Sequence, residues 1–349
     1  RYAVACSSGT AALHLATMAL GLGPGDAAIV PSLTFLATAN AVRFTGAEVV
    51  FADVDPTTGL LTAETLRAAL KAKTAGTAKA VLPVHLAGMV ADMKAIGAVA
   101  HDASFTVVED ACHALGAVEG DGAAVGACAR SALAAFSTHP VKTITTGEGG
   151  LVTTNDAALA ERARRLRNHG MEHDPAHWTD PAAGRDGDQL APWYYEMAEI
   201  GYNYRLTDIG CALGLSQLKK LDRFLKRRAD LAARYDRLLA ASAPHVRIPA
   251  RPARGVTAWH LYAVQIDFAA LRRRRGDVMR TLRAAGIGTQ VHYIPVHRQP
   301  YYRRRYGDLD LPGADAYYAR TLSLPLFPTM RDSDVDRVVG ALKQALGVA

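Results

Sequence analysis

One lysine in this chain sits in surroundings that could make an amine reactive. Lys142 lies within Ser137 to Gly150, a segment of hydroxylated, small and flexible residues that follows the apolar stretch Ala132 to Phe136. An amine attacks a carbonyl only when it is unprotonated, and partial burial lowers the pKa of a lysine. The glycines that follow let the backbone come close to a ligand. By itself the motif reads as a solvated loop lysine.

Three further motifs supply the company such a lysine needs. Ser7, Ser8, Gly9 and Thr10 occupy a strand-to-helix junction, where free N–H groups and the helix dipole favour an anion such as a phosphate. Ser and Thr at such a junction also serve simply as helix caps. Val107 to His113 ends an apolar run in Asp110, a carboxylate that could hold a pyridinium nitrogen protonated or could cap the next helix. Pro31 to Phe35 offers an aromatic face, Phe35, which alone would be read as core. A phosphate cradle, a stacking ring, a partner for a ring nitrogen and a Schiff-base lysine are together the requirements of pyridoxal 5'-phosphate. Their joint occurrence is more specific than any one of them.

Elements that could hold these groups in register follow from the hydrophobic pattern. Apolar runs at Tyr2 to Cys6, Ala28 to Val30, Glu48 to Ala52, Ala80 to Pro83, Thr106 to Val108, Ala132 to Phe136 and Gly150 to Thr153 alternate with segments of helical spacing. The pattern predicts an α/β fold, a mostly parallel sheet flanked by helices, with ligands beyond the carboxyl ends of the strands. Helices are predicted over Ser7 to Gly21, Thr62 to Lys71, Ala91 to Ala100 and Asp156 to Arg167. One long helix is predicted over Leu206 to Ala241, with a core stripe of Leu213, Leu215, Leu218, Leu221, Phe224 and Leu225. A smaller second lobe is expected from strands at Trp259 to Phe268 and Gly286 to Ile294, a helix at Arg274 to Ala285, and a last helix from Ser333 to Leu346 capped by Asp332 or Ser333. The division is thus 1–205, a connecting helix 206–242, and 243–349. Asn168 to Pro192, rich in Gly, Pro, Asp and His, reads as a long surface loop, either a lid or a tolerated insertion.

Composition narrows the function classes. The 349 residues suffice for two lobes, and half are hydrophobic, as in an ordinary globular chain. The formal charge of +7 owes much to Arg272 to Arg275 and Arg303 to Arg305, which lack the interleaved aromatics of a nucleic-acid module. Cys6, Cys112, Cys128 and Cys211 have no metal-ligand spacing and read as reduced thiols. No metal, nucleic-acid or membrane partner is expected, and the reading is a cytoplasmic protein. Because Arg1 to Cys6 already reads as a strand, a preceding segment is expected to be missing from this numbering.

The same residues resemble the DegT-type (StrS-like) sugar aminotransferases, pyridoxal-phosphate enzymes of fold type I (aspartate aminotransferase-like), over essentially the whole length. The resemblance rests on Ser8 to Leu13, Pro31 to Phe35, Glu109 to Ala114, Phe136 to Lys142, Gly147 to Gly150 and Gly201 to Leu206. It implies a seven-stranded sheet, a smaller C-terminal α/β domain and a ping-pong transamination with L-glutamate as donor. Lys142 would bear the cofactor and shuttle the proton. Gly9, Thr10 and Ser137 would hold its phosphate, Phe35 would lie against its ring, Asp110 would pair with its nitrogen and His113 would sit near its phenolic oxygen. Asn203 would reach into the partner subunit's site, which implies a homodimer with shared sites. Details at His139 to Thr146, Ala212 to Lys220 and Gly286 to Tyr302 look most like the branch making pseudaminic acid precursors. That branch aminates C4 of a UDP-linked 4-keto-6-deoxy-N-acetylhexosamine and would make Gln290, His292 and Tyr293 sugar-nucleotide contacts. Another 4-keto or 3-keto nucleotide sugar, and a non-catalytic regulator on the same fold, are the alternatives. The related sugar dehydratases replace the lysine with histidine, whereas Lys142 is present here.

Overall fold

The computed structural model describes residues 1–72, 76–252 and 254–348. The first half builds β1 (Tyr2–Cys6), α1 (Gly9–Ala19), β2 (Asp26–Pro31), α2 (Leu36–Phe44), β3 (Glu48–Ala52), α3 (Ala63–Leu70), β4 (Thr77–Val81), α4 (Met93–Asp102), β5 (Thr106–Asp110), β6 (Leu133–Ser137), β7 (Gly150–Thr154) and α5 (Ala157–Arg167). All seven apolar runs become strands of one sheet, in the order β1-β7-β6-β5-β4-β2-β3. Only β7 runs against the others. Its reversal is what makes the chain turn back after β6, and that turn carries Lys142.

Helix α1 is almost wholly buried. It packs on β6 and β7 and against α2 and α5, which suits its small, Ala-rich sequence. Ser8 caps it by accepting the Ala11 N–H at 3.0 Å. Thr62 and Asp156 cap α3 and α5 in the same way. The Ser8 cap starts α1 just past the end of β1, on the side where the carboxyl ends of β1, β2, β5 and β6 open onto one crevice.

The predicted single helix 206–241 is two: α6 (Asp208–Leu218) and α7 (Leu221–Leu239). Helix α7 buries Arg228, Leu231, Ala232, Tyr235 and Leu239 at helical spacing, whereas α6 buries only Gly210. The expected leucine stripe straddles the break between them. Leu213, Leu215 and Leu218 are exposed rather than core.

A second apolar cluster forms around α7, α8 (Arg275–Ala284), α9 (Asp332–Leu346) and a three-stranded antiparallel sheet of Val246–Arg247, Tyr262–Ile266 and Thr321–Leu324. The strand predicted from Trp259 is therefore shorter, and α9 begins at Asp332 with Arg331, rather than Asp332 or Ser333, at its N-cap. The strand predicted over Gly286 to Ile294 does not form. Of its backbone, Gln290 alone exchanges bonds with Ser323, at 3.2 and 2.8 Å, before the chain crosses to the large sheet, where the Val296 N–H donates to the Ser32 carbonyl. Alternating side chains mimic a strand here, but the segment spans two sheets and belongs to neither. Residues 168–192 are more ordered than a plain loop. They hold the two-residue strands Met171–Glu172, Arg185–Asp186 and Gln189–Leu190, and a buried Trp178 whose indole donates to the Glu172 carbonyl.

Candidate active site

Beyond the carboxyl ends of the strands lies a cavity of about 540 Å³. Gly9, Thr10, Phe35, Asp110, His113, Ser137, Lys142, Gln290, His292 and Tyr293 all line it. Asn203 does not: it is exposed, in an isolated bridge to Asn168.

Each wall has a local cause. Gly9 begins α1 directly against Ser137. A Cβ at Gly9 would fall 2.6 Å from the Ser137 Cβ, so only glycine lets the helix start close on the end of β6. Gly150 serves the same junction, because a Cβ there would meet the Ser8 carbonyl at 2.3 Å. First-turn N–H groups of a helix have no intrahelical acceptor, and the positive end of the α1 dipole faces this spot.

Asp110 ends β5 at the back of the cavity and is 5% exposed. No helix follows it, so it caps none. Its Oδ2 accepts from the Thr38 hydroxyl at 2.6 Å and its Oδ1 from the Cys112 N–H at 3.1 Å. Phe35, just before α2, is half-exposed at the rim rather than core, with its ring 5.8 Å from that of Tyr293.

His113 accepts the Ala87 N–H at Nδ1 (3.3 Å), which leaves the proton of the neutral ring on Nε2, donated to the Tyr293 hydroxyl at 3.2 Å. Its ring lies 4.3 Å from that of His260. Burial holds both imidazoles well below their ordinary pKa, and the neighbouring Lys142 adds to the shift. His292, whose Nδ1 meets the Ser323 hydroxyl at 2.8 Å, is lowered by burial to about 4. The pKa of Lys142 is lowered by burial, against the opposing pull of Cys112 and Asp110. Its amine has no hydrogen bond or ion pair among the described residues.

Sequence reasoning missed Thr34 and Thr38, His260, and the rim groups Gln299, His139 and Glu148. The last two approach within 3.6 Å of each other. The threonines carried a local signal, a spacing of four across the start of a helix. His260 carried none, since only packing brings it behind His113.

The profile of the DegT/DnrJ/EryC1/StrS aminotransferase family matches residues 1–343. The chain belongs to that family. It is accordingly a pyridoxal 5'-phosphate-dependent aminotransferase of fold type I. The spore coat polysaccharide biosynthesis protein SpsC of Bacillus subtilis (strain 168) is 42% identical over 346 residues, which is 98% of this chain and 85% of SpsC. Among solved structures, the pyridoxal-phosphate form of the sugar aminotransferase Spr1654 from Streptococcus pneumoniae superposes with a TM-score of 0.85 at 28% identity, covering 99% of this chain and 87% of that one. PseC from Helicobacter pylori, an aminotransferase of pseudaminic acid biosynthesis, gives 0.86 at 26% identity, again over 99% and 87%.

The residues present fit the family's cofactor. The half-buried Lys142 amine is unpartnered among the described residues. The Gly9–Ser137 contact leaves the helix start clear for a phosphate, and the Asp110 carboxylate keeps unused lone pairs beside the cavity.

Proposed function

We propose that this family member transfers an amino group from L-glutamate to C4 of a UDP-linked 4-keto-6-deoxy-N-acetylhexosamine, as in pseudaminic acid-type nucleotide-sugar biosynthesis. The observation that carries the aminotransfer is the unpartnered Lys142 amine, lowered in pKa by burial, in one cavity with Asp110 and the start of α1. The N-terminus of α1 with Thr10 and Ser137 would hold the phosphate of the cofactor, and Phe35 and Asp110, which line the same cavity, would hold its ring and its ring nitrogen. Bound there, pyridoxal 5'-phosphate supplies an electron sink for the pair released when the C–H bond next to the amine ionises. The Lys142 amine takes that proton from the donor carbon and delivers one to C4 of the sugar. His113, neutral and bonded to Tyr293, would sit beside the bound cofactor without adding charge. Gln290 and His292, on the segment that crosses between the sheets, face the sugar nucleotide, and Tyr293 with Phe35 narrows the entrance.

Asn203 lies outside its own chain's cavity, and α6 with its preceding segment exposes Ile200, Ile209, Leu215 and Leu218. Both features support a homodimer in which Asn203 completes the partner's site. Four unpaired cysteines suit a reducing cytoplasm. No described helix is long and apolar enough to cross a membrane.

A second reading keeps the site and changes the sugar to another 4-keto or 3-keto nucleotide hexose. Identity to SpsC, 42%, above that to PseC, 26%, favours it. Turnover of a panel of keto-sugar nucleotides, with the new amine located by NMR, separates the two. The shared chemistry is tested by the absorption of the purified protein from the near-ultraviolet to the blue. L-glutamate is expected to shift the cofactor band in the wild type and to leave it unmoved in Lys142→Ala. A folded protein that takes up no pyridoxal phosphate would refute the aminotransferase reading.

A further inference from the structure

Behind Asp110 lies a chain of buried hydroxyls. Thr34 and Thr38 are 1% and 0% exposed, and their Oγ1 atoms lie 2.7 Å apart. Thr38 Oγ1 is also 2.6 Å from Asp110 Oδ2 and 3.3 Å from the Phe35 carbonyl. A hydroxyl has one proton, and an ionised carboxylate only accepts, so the short bond takes the Thr38 proton. Thr34 must then donate to Thr38. The direction of the chain is fixed as Thr34 to Thr38 to Asp110.

This arrangement has little to do with building a helix. Thr38 is the third residue of α2, a position where its β-branched side chain is a poorer helix former than alanine. Its hydroxyl lies within reach of the Phe35 carbonyl at the helix start, but the shorter bond, to the end of β5, takes its proton. The Cys112 N–H holds the other carboxylate oxygen, so the carboxylate is tethered at both ends. Full burial keeps water from replacing the Thr38 bond if it is lost.

We propose that Thr38, backed by Thr34, is a positioning residue that fixes the Asp110 carboxylate so that a free lone pair faces the cavity. The proposal rests on the aminotransferase reading above, in which Asp110 accepts from the ring nitrogen. It also links two walls of the site, since Phe35 and Thr38 stand three residues apart at the start of one helix. A single helix start therefore sets both the covering ring and the anchor of the carboxylate.

The test compares two cofactors on the apo-protein: pyridoxal 5'-phosphate and its 1-deaza analogue, which has carbon in place of the ring nitrogen. Thr38→Val keeps the shape and removes the donor. It is expected to bind pyridoxal phosphate about tenfold more weakly than wild type, the usual scale for a hydrogen bond to a charged group. Its affinity for the deaza analogue should be unchanged, and Thr38→Ser should restore the wild-type values for both. In turnover, kcat should fall while the KM for the sugar nucleotide holds. Thr34→Val, one step back, should show the same contrast to a smaller degree and serves if Thr38→Val does not fold. Equal affinities of wild type and the valine variants for pyridoxal phosphate would overturn the proposal, as would equal losses for the two cofactors, which would mean a packing defect. A wild-type protein that binds neither cofactor would instead overturn the aminotransferase reading beneath it.

Discussion

His14 shows how far a single buried side chain can set the behaviour of this molecule. It is 2% exposed in α1, its Nδ1 lies 3.2 Å from the Tyr204 hydroxyl, and burial lowers its pKa from 6.5 to about 4. As pH falls, the unfolded chain takes up this proton before the folded one does. The stabilisation is therefore complete above about 6.5 and is lost as pH drops from there towards 4. Calorimetric melting temperatures should decline across that window, and His14→Gln should flatten the decline while lowering the plateau. A variant with an unchanged slope would mean that His14 titrates normally. The buried His113 and His260 and the half-buried His292 act in the same direction, so the site and the fold share an acid limit.

At the scale of elements, the junction of α1 with β6 decides whether an anion site exists. Alanine is a better helix former than glycine, so Gly9→Ala should leave α1 helical. Its Cβ, however, would press on Ser137 at 2.6 Å. Overpacking of this kind costs about 1–3 kcal/mol, and separating the two sides of the cradle should weaken pyridoxal-phosphate binding by about tenfold or more. Ser137→Gly added to Gly9→Ala frees the space and should recover part of the loss. Equilibrium titration of the three proteins reads this directly, and wild-type affinity in Gly9→Ala would count against the cradle. The same junction was legible from sequence, because Ser, Gly and Thr after a short apolar run mark a capped helix start. The break between α6 and α7 was not legible. Helix α7 carries a one-sided apolar stripe whereas α6 is apolar with no preferred side, and only the neighbours each one meets determine which of those residues are buried.

The whole molecule raises the question of what a second copy contributes. If Asn203 acts in the partner's site, a mixed dimer of a Lys142→Ala chain with an Asn203→Ala chain carries both defects in one site and none in the other. Mixing two inactive homodimers under subunit exchange should then regain turnover. No regain, with mixed dimers verified by mass, would assign Asn203 to its own chain or to no site. The exposed apolar residues around α6 belong at this scale too, since a stripe that reads as core in one chain becomes surface once the chain is folded.

The sequence by itself determined the order of the strands along the chain, their mutual alternation with helices, and the residue types at each strand's carboxyl end. Those signals are local: short apolar runs, caps and glycine-rich turns act over a few residues. It also carried Lys142, Asp110, Phe35 and Gly9 as a set whose chemistry fits one cofactor. Tertiary structure alone decided that Tyr293 bonds to His113 across 180 residues, that Gln290 holds to Ser323 outside any strand, that Thr38 anchors Asp110, and that Asn203 stands outside the cavity. Each of these depends on contacts between segments distant in the chain, formed when two sheets and their helices pack together, and such packing leaves no periodic trace in either segment.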